Sequence, residues 1–290
     1  MCTAVLSIEP GLPVLLVGVR DELTDRAWQP PGPHWPRYPG LIGGLDLLAG
    51  GTWLALAAQD RRVACVLNGR GQPAPAGSRR SRGVLPLQAA AGEPLDRTQI
   101  ASFDPFHLLS AEPGRAVLQS WDGARLAERE LGPGVHMVVN SGLASGLDGS
   151  AALLPPQPER LWPTGRLGRS GHAERPEQQA PNGREHELAR IDYFLRRFRD
   201  AARPVPEPGQ SVSDGWGDWL PLVDGDGLRT GDTRALIVRR DLSDGRTWGT
   251  ISISLVALSA EAVRYDFTGT PGDPAGWHPV PGLVSRPRNA

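Results

Sequence analysis

The sequence predicts an α+β fold with β-sheets stacked on one another and helices outside. Three features carry this expectation: two short apolar runs joined by Pro10-Gly11 near the start, one amphipathic helix spacing well past the middle, and alternating strands in the tail. With 290 residues, 39% of them apolar, the chain is long enough to bury a substantial core. The 36 Gly and 29 Pro imply long loops between the elements.

Ala4 to Ile8 and Pro13 to Val19 read as a strand pair. With Pro10 and Gly11 as the central turn residues, Cys2 falls opposite Val19 and close to Arg20 and Asp21. Pro30, Pro31, Pro33, Pro36 and Pro39 form a stiff loop that cannot donate ladder hydrogen bonds. Beyond Gly50-Gly51-Thr52-Trp53, Leu54 to Ala58 and Val63 to Leu67 make a hairpin closed by Asn68-Gly69-Arg70. Gln72 to Ser78 is a surface loop. Ile100 to Leu109, Ala116 to Trp121, Leu126 to Leu131 and Val135 to Val139 follow as strands. Residues 155–186 carry no apolar period and are expected to be a flexible insertion. Leu188, Ile191, Leu195 and Phe198 then share a helix face, while Arg190, Arg196, Arg197 and Arg199 are expected on the solvated side. Arg234 to Arg239, Thr250 to Leu258 and Ala262 to Phe267 return to strands.

The 31 basic residues, all Arg, nearly cancel 32 acidic ones, which argues against a nucleic-acid or membrane-surface partner. No apolar run approaches the ~20 residues needed to span a bilayer. Two cysteines, Cys2 and Cys65, are too few for a disulfide framework or a Cys-rich metal site. The expected setting is the cytoplasm, with both thiols reduced.

Cys2 is singled out by its position. Cys is small enough for removal of Met1, which would place a thiol and a free α-amine on one residue. An α-amine with a pKa of about 7.7–8.0 is a competent base at neutral pH, and a thiol of pKa about 8.5 needs modest activation. Arg20 would favour the thiolate, Asp21 would hold the ammonium, and Asn68 and Asn140 at strand ends are candidate oxyanion donors. The competing reading makes Cys2 merely the residue after the initiator and Arg20-Asp21-Glu22 a solvated turn.

Met1-Cys2-Thr3, Arg20-Asp21-Glu22, Gly50-Gly51-Thr52-Trp53-Leu54, Asn68-Gly69-Arg70, Ser81-Arg82-Gly83, Phe106-His107-Leu108-Leu109, Asn140 and Trp248-Gly249-Thr250 occur in the order found in one family. The chain resembles the NRDE family, also called the transport and Golgi organisation protein 2 family, from its start to about Trp277. The resemblance implies one domain over residues 1–290, a four-layer αββα N-terminal nucleophile (Ntn) hydrolase-like sandwich. It further implies hydrolysis of a small amide or ester through a Cys2 acyl intermediate, with Arg20, Asp21, Asn68 and Asn140 as partners. No cofactor and no metal are expected. The alternative it implies is a non-catalytic protein of the same fold that binds or carries haem, a lipid or acyl-CoA.

The chain departs from the family pattern at Val19, where Asn is usual, at His107 in place of Asn, at Trp248 in place of Tyr, and in the segment after Asn140. Other motifs fail. The six His lack metal-ligand spacing, Asp224-Gly225-Asp226-Gly227 lacks the third calcium ligand, and Gly225, Gly227 and Gly231 miss the dinucleotide fingerprint.

Overall fold

The computed structural model describes residues 2–144 and 183–283. Its helices and antiparallel sheets make an α+β protein. One sheet runs in the order β11 (Gly142–Ala144), β10 (Gly134–Val139), β1 (Thr3–Ile8), β2 (Val14–Leu23), β13 (Thr247–Leu258), β14 (Val263–Thr268) and β15 (His278–Pro279), with β12 (Arg239–Asp241) also on β13. The other runs β3 (Trp28–Gly32), β4 (Leu41–Asp46), β5 (Leu54–Ala57), β6 (Arg62–Asn68), β7 (Phe106–Glu112), β8 (Arg115–Trp121) and β9 (Leu126–Glu130). Among the described residues four α-helices join them: α1 (Leu85–Ala90), α2 (Gly183–Asp200), α3 (Val212–Trp216) and α4 (Trp219–Val223).

Strand alternation divides the buried side chains among three clusters. Ala4, Leu6, Val14 and Leu16 of the first sheet meet Leu54, Val63, Cys65 and Leu109 of the second between the sheets. Val5, Leu15, Val17 and Val139 turn the other way, onto Ile191, Phe194 and Phe198 of α2 and Trp216 and Trp219 of the short helices. Ala55, Ala64 and Phe106 turn from the inner face of the second sheet onto Leu85 and Leu87 of α1. Burying each large apolar side chain contributes about 1.5–3 kcal/mol.

The first hairpin has its turn where expected, with the Leu12 N–H donating to the Glu9 carbonyl at 3.1 Å. Its register is one residue off, however: Thr3, not Cys2, faces Val19. Pro13, which has no N–H to offer the ladder, adds one residue on the second side of the turn. The Pro-rich segment is not wholly a loop. Trp28–Gly32 pairs with β4 at the sheet's edge through an irregularity between Gln29 and Gly32, and an edge tolerates Pro30 and Pro31. Arg234 to Val238 form a mostly buried loop rather than a strand, and Ile100–Ser102 is a turn of 3₁₀ helix before β7. Most of the expected insertion lies outside the described residues, but its last four positions, 183–186, already belong to α2.

Candidate active site

The ladder places Thr3 between Val19 of β2 and Val139 of β10. One step toward the strand end, Cys2 comes between Arg20 and Asn140. Side-chain alternation turns these three toward the second sheet, and Cys2 packs against the core between the sheets. Its thiol is half-buried and lies 3.6 Å from the Asp21 carbonyl oxygen.

Arg20 is 5% exposed. Its Nη2 donates to Asp46 Oδ2 at 2.9 Å, and its guanidinium stacks 4.1 Å above the Trp53 ring. Asp46 also accepts from Arg26 Nε at 2.7 Å and from the backbone N–H groups of Leu48 and Ala49. Burial pushes the Asp46 carboxyl up, but these hydrogen bonds and the charges of Arg26 and Arg20 outweigh it and hold it below the usual range. Burial lowers the Arg20 pKa against the opposing pull of Glu22, Asp46 and Cys2. Gly44 makes room for this arrangement, since a Cβ there would lie 2.1 Å from the Trp53 ring. Gly51 serves the same block differently: it crosses Gly83 so closely that a Cβ would meet that backbone at 2.5 Å.

Asp21 is placed differently from its expected role. The next residue on β2 after Arg20, it faces away from the inner sheet, toward α2. Its Oδ1 accepts from Thr250 Oγ1 at 2.6 Å, and its Oδ2 lies 3.5 Å from Arg190 Nη1. That same Nη1 donates to Thr3 Oγ1 at 3.0 Å. The carboxylate is therefore engaged on the outer face, and Asp21 approaches the thiol through its backbone. A bulge between Thr250 and Ser252 lets β13 serve both faces, setting Thr250 opposite Asp21 and Ser252 opposite Arg20.

Asn140 is buried directly after β10. Its carbonyl oxygen accepts from His107 Nε2 at 3.2 Å, and His107 Nδ1 pairs with Ser120 Oγ at 2.8 Å. Burial pushes the His107 pKa down to about 4 against the Asn140 bond, so the ring is neutral at neutral pH. Asn68 ends β6, where alternation groups it with Ala64 and Val66 on the side of α1. Cys2, Arg20 and Asn140 thus meet in one row, while the side chains of Asp21 and Asn68 lie outside it.

Arg190 was expected on a solvated face, yet it is 2% exposed. Glu187, one turn earlier, is also buried, 3.1 Å from Arg70 and hydrogen-bonded by Ser141. The signal for both lay in the helical spacing: Glu187 and Arg190 precede Ile191 and Phe194 by four residues on the apolar stripe. Asp46, Trp53 and Ser252 gave no local signal, because sheet stacking and strand pairing bring them to Arg20.

Two surface grooves lie elsewhere. One of about 380 Å³ follows α1 and β7–β9 past Arg62, Gln88 and Glu128, and one of about 270 Å³ lies between Trp35, Tyr38 and Val84. Among the described residues no three potential metal ligands converge, and no helix is long and apolar enough to cross a membrane.

The sequence profile of the family described as Transport and Golgi organisation 2 matches residues 1–187. The chain belongs to the Transport and Golgi organisation 2 family. No curated protein matches it. The family match covers the whole second sheet together with Cys2, Arg20, Trp53, His107 and Asn140, and stops at Glu187. Arg190, Thr250 and Ser252 lie beyond it, although Thr250 and Ser252 sit on the strand that pairs with β2. The resemblance read from the sequence to about Trp277 therefore extends further than the profile match.

Proposed function

We propose that this Transport and Golgi organisation 2 family member is an N-terminal cysteine hydrolase of a small amide or ester, built as a single-domain αββα Ntn-type sandwich and working in the reducing cytoplasm. The observation that carries the reading is the row Asn140, Cys2, Arg20: a half-buried thiol flanked in register by an amide and a buried guanidinium. Removal of what precedes Cys2 frees its α-amine as the base. The thiol proton passes to that amine as Sγ attacks the substrate carbonyl carbon, Arg20 favours the thiolate, and Asn140 donates to the oxyanion. The C–N or C–O bond then breaks and the leaving group takes the proton. Water adds to the thioester, releases the acid and restores the thiol. Asp21 acts as a positioning residue, tying β2 to Thr250 and Arg190, and Asn68 is left without a chemical step.

Cys65 supplies the internal control. It is fully buried, and burial, reinforced by Cys2, pushes its pKa up to about 12. A thiol-directed probe is expected to label Cys2 and spare Cys65, to lose its signal in Cys2→Ala, and to act on chains whose intact mass shows Cys2 at the N-terminus. Equal labelling of both thiols, or a residue still preceding Cys2 in reactive chains, would overturn the mechanism. A carrier of haem, lipid or acyl-CoA would instead bind its ligand unchanged in Cys2→Ala.

A further inference from the structure

Three hydrogen-bonding groups beside Cys2 have no partner among the described residues: Arg20 Nη1, Trp53 Nε1 and Ser252 Oγ, all shut off from solvent. They lie together. Arg20 stacks on Trp53, and Ser252 faces Arg20 across the β2–β13 ladder. Buried polar groups are almost always satisfied, so a cluster of orphans calls for an occupant. Guanidinium and indole nitrogens only donate, and the serine hydroxyl can donate as well, so that occupant must accept. The cluster cannot easily satisfy itself. Asp46 already receives Arg20 Nη2, Arg26 and two backbone N–H groups, and the Asp46 bond and the Trp53 stack together fix the direction of Nη1.

We propose that Arg20 Nη1, Trp53 Nε1 and Ser252 Oγ form an anion-binding subsite next to Cys2, which takes the carboxylate of an acidic acyl substrate. A carboxylate offers two oxygens in the plane that a guanidinium edge recognises. This deepens the hydrolase reading, for which Cys2 is the nucleophile, by naming the class of acyl group it attacks.

The test compares two alkylating agents of nearly equal size, anionic iodoacetate and neutral iodoacetamide. With each, the Cys2 sulfur bonds to the reagent's methylene carbon and iodide leaves. The iodoacetate-to-iodoacetamide rate ratio at Cys2 is expected to exceed that of a small free thiol in the same buffer by about tenfold, the size of one charge-assisted hydrogen bond. Glutarate should protect Cys2 from both reagents, and Trp53→Phe and Ser252→Ala should each lower the ratio. The wild-type ratio and the glutarate protection need no variant, so misfolding of either substitution does not blunt the test. A ratio equal to the free thiol's with no glutarate protection, the behaviour of a merely water-filled site, overturns the subsite and leaves the nucleophile reading standing. Failure of both reagents to alkylate Cys2 overturns both.

Discussion

His107 ties the second sheet to the end of β10 through a single neutral ring. The Asn140 carbonyl can only accept, so Nε2 carries the proton and Nδ1 accepts from the Ser120 hydroxyl. The ring titrates near 4 in the folded chain, mainly because it is buried, and near about 6.5 when unfolded. Below pH 6.5 the unfolded chain binds a proton that the folded chain refuses. The stability held above pH 6.5 is therefore lost as pH falls, at up to about 1.4 kcal/mol per unit until the folded ring itself protonates near 4. Urea midpoints between pH 7.5 and 4.5 should fall more steeply for the wild type than for His107→Gln, which keeps an amide to span the gap without titrating there. Equal slopes would show that His107 does not govern the acid limb. Both chains carry the same other titratable groups, so the difference between them isolates the ring.

At the level of elements, α2 shows how far spacing alone can be trusted. Ile191, Leu195 and Phe198 are buried as the helical period required, but Leu188 is 41% exposed while Phe194 is fully buried. The stripe is set by Glu187, Arg190, Ile191 and Phe194, so Leu188 lies just off it. Phe194→Ala should cost about 3–5 kcal/mol, whereas Leu188→Ala should change stability by less than about 0.5 kcal/mol, read as denaturant midpoints at constant slope. Comparable losses at both positions would contradict this packing. The same contrast explains what the sequence disclosed. Strands with compact apolar runs, such as β1 and β6, and the alternating β13 were legible. β4 was hidden by Gly43-Gly44, and β3 by prolines that an edge tolerates. α1, α3 and α4 span five or six residues each, too few for a helical period to emerge. Within the site, Cys2 and Arg20 could be paired because one hairpin joins them. The partners Asp46, Trp53, Ser252 and Arg190 come from other elements, which only the stacking of the sheets and the docking of α2 bring close.

Across the whole molecule, the family match ends at residue 187, but the first sheet does not. β13 pairs with β2 from Trp248↔Leu23 to Leu258↔Val14, and β14 pairs with its other side. Without these strands, β2 would be an edge whose backbone groups lack a ladder partner and whose Arg20 and Asp21 face solvent on that side. The core between the sheets would lose Val256, Leu258, Tyr265 and Phe267, and the outer core Ile253, Leu255, Trp216 and Trp219. Burial of each such side chain is worth about 1.5–3 kcal/mol, so the loss of all eight, about 12–24 kcal/mol, matches or exceeds the ~5–15 kcal/mol by which a typical domain is stable. A chain cut after residue 187 is therefore expected to show no cooperative thermal transition by circular dichroism and no reactive Cys2. Adding the segment from residue 183 onward as a separate chain should restore both in part, because the missing strands pair through backbone hydrogen bonds that need no covalent link. A cooperative melt of the 1–187 chain alone, near that of the full chain, would show instead that the matched segment folds independently and that β13 only adds to a finished sheet.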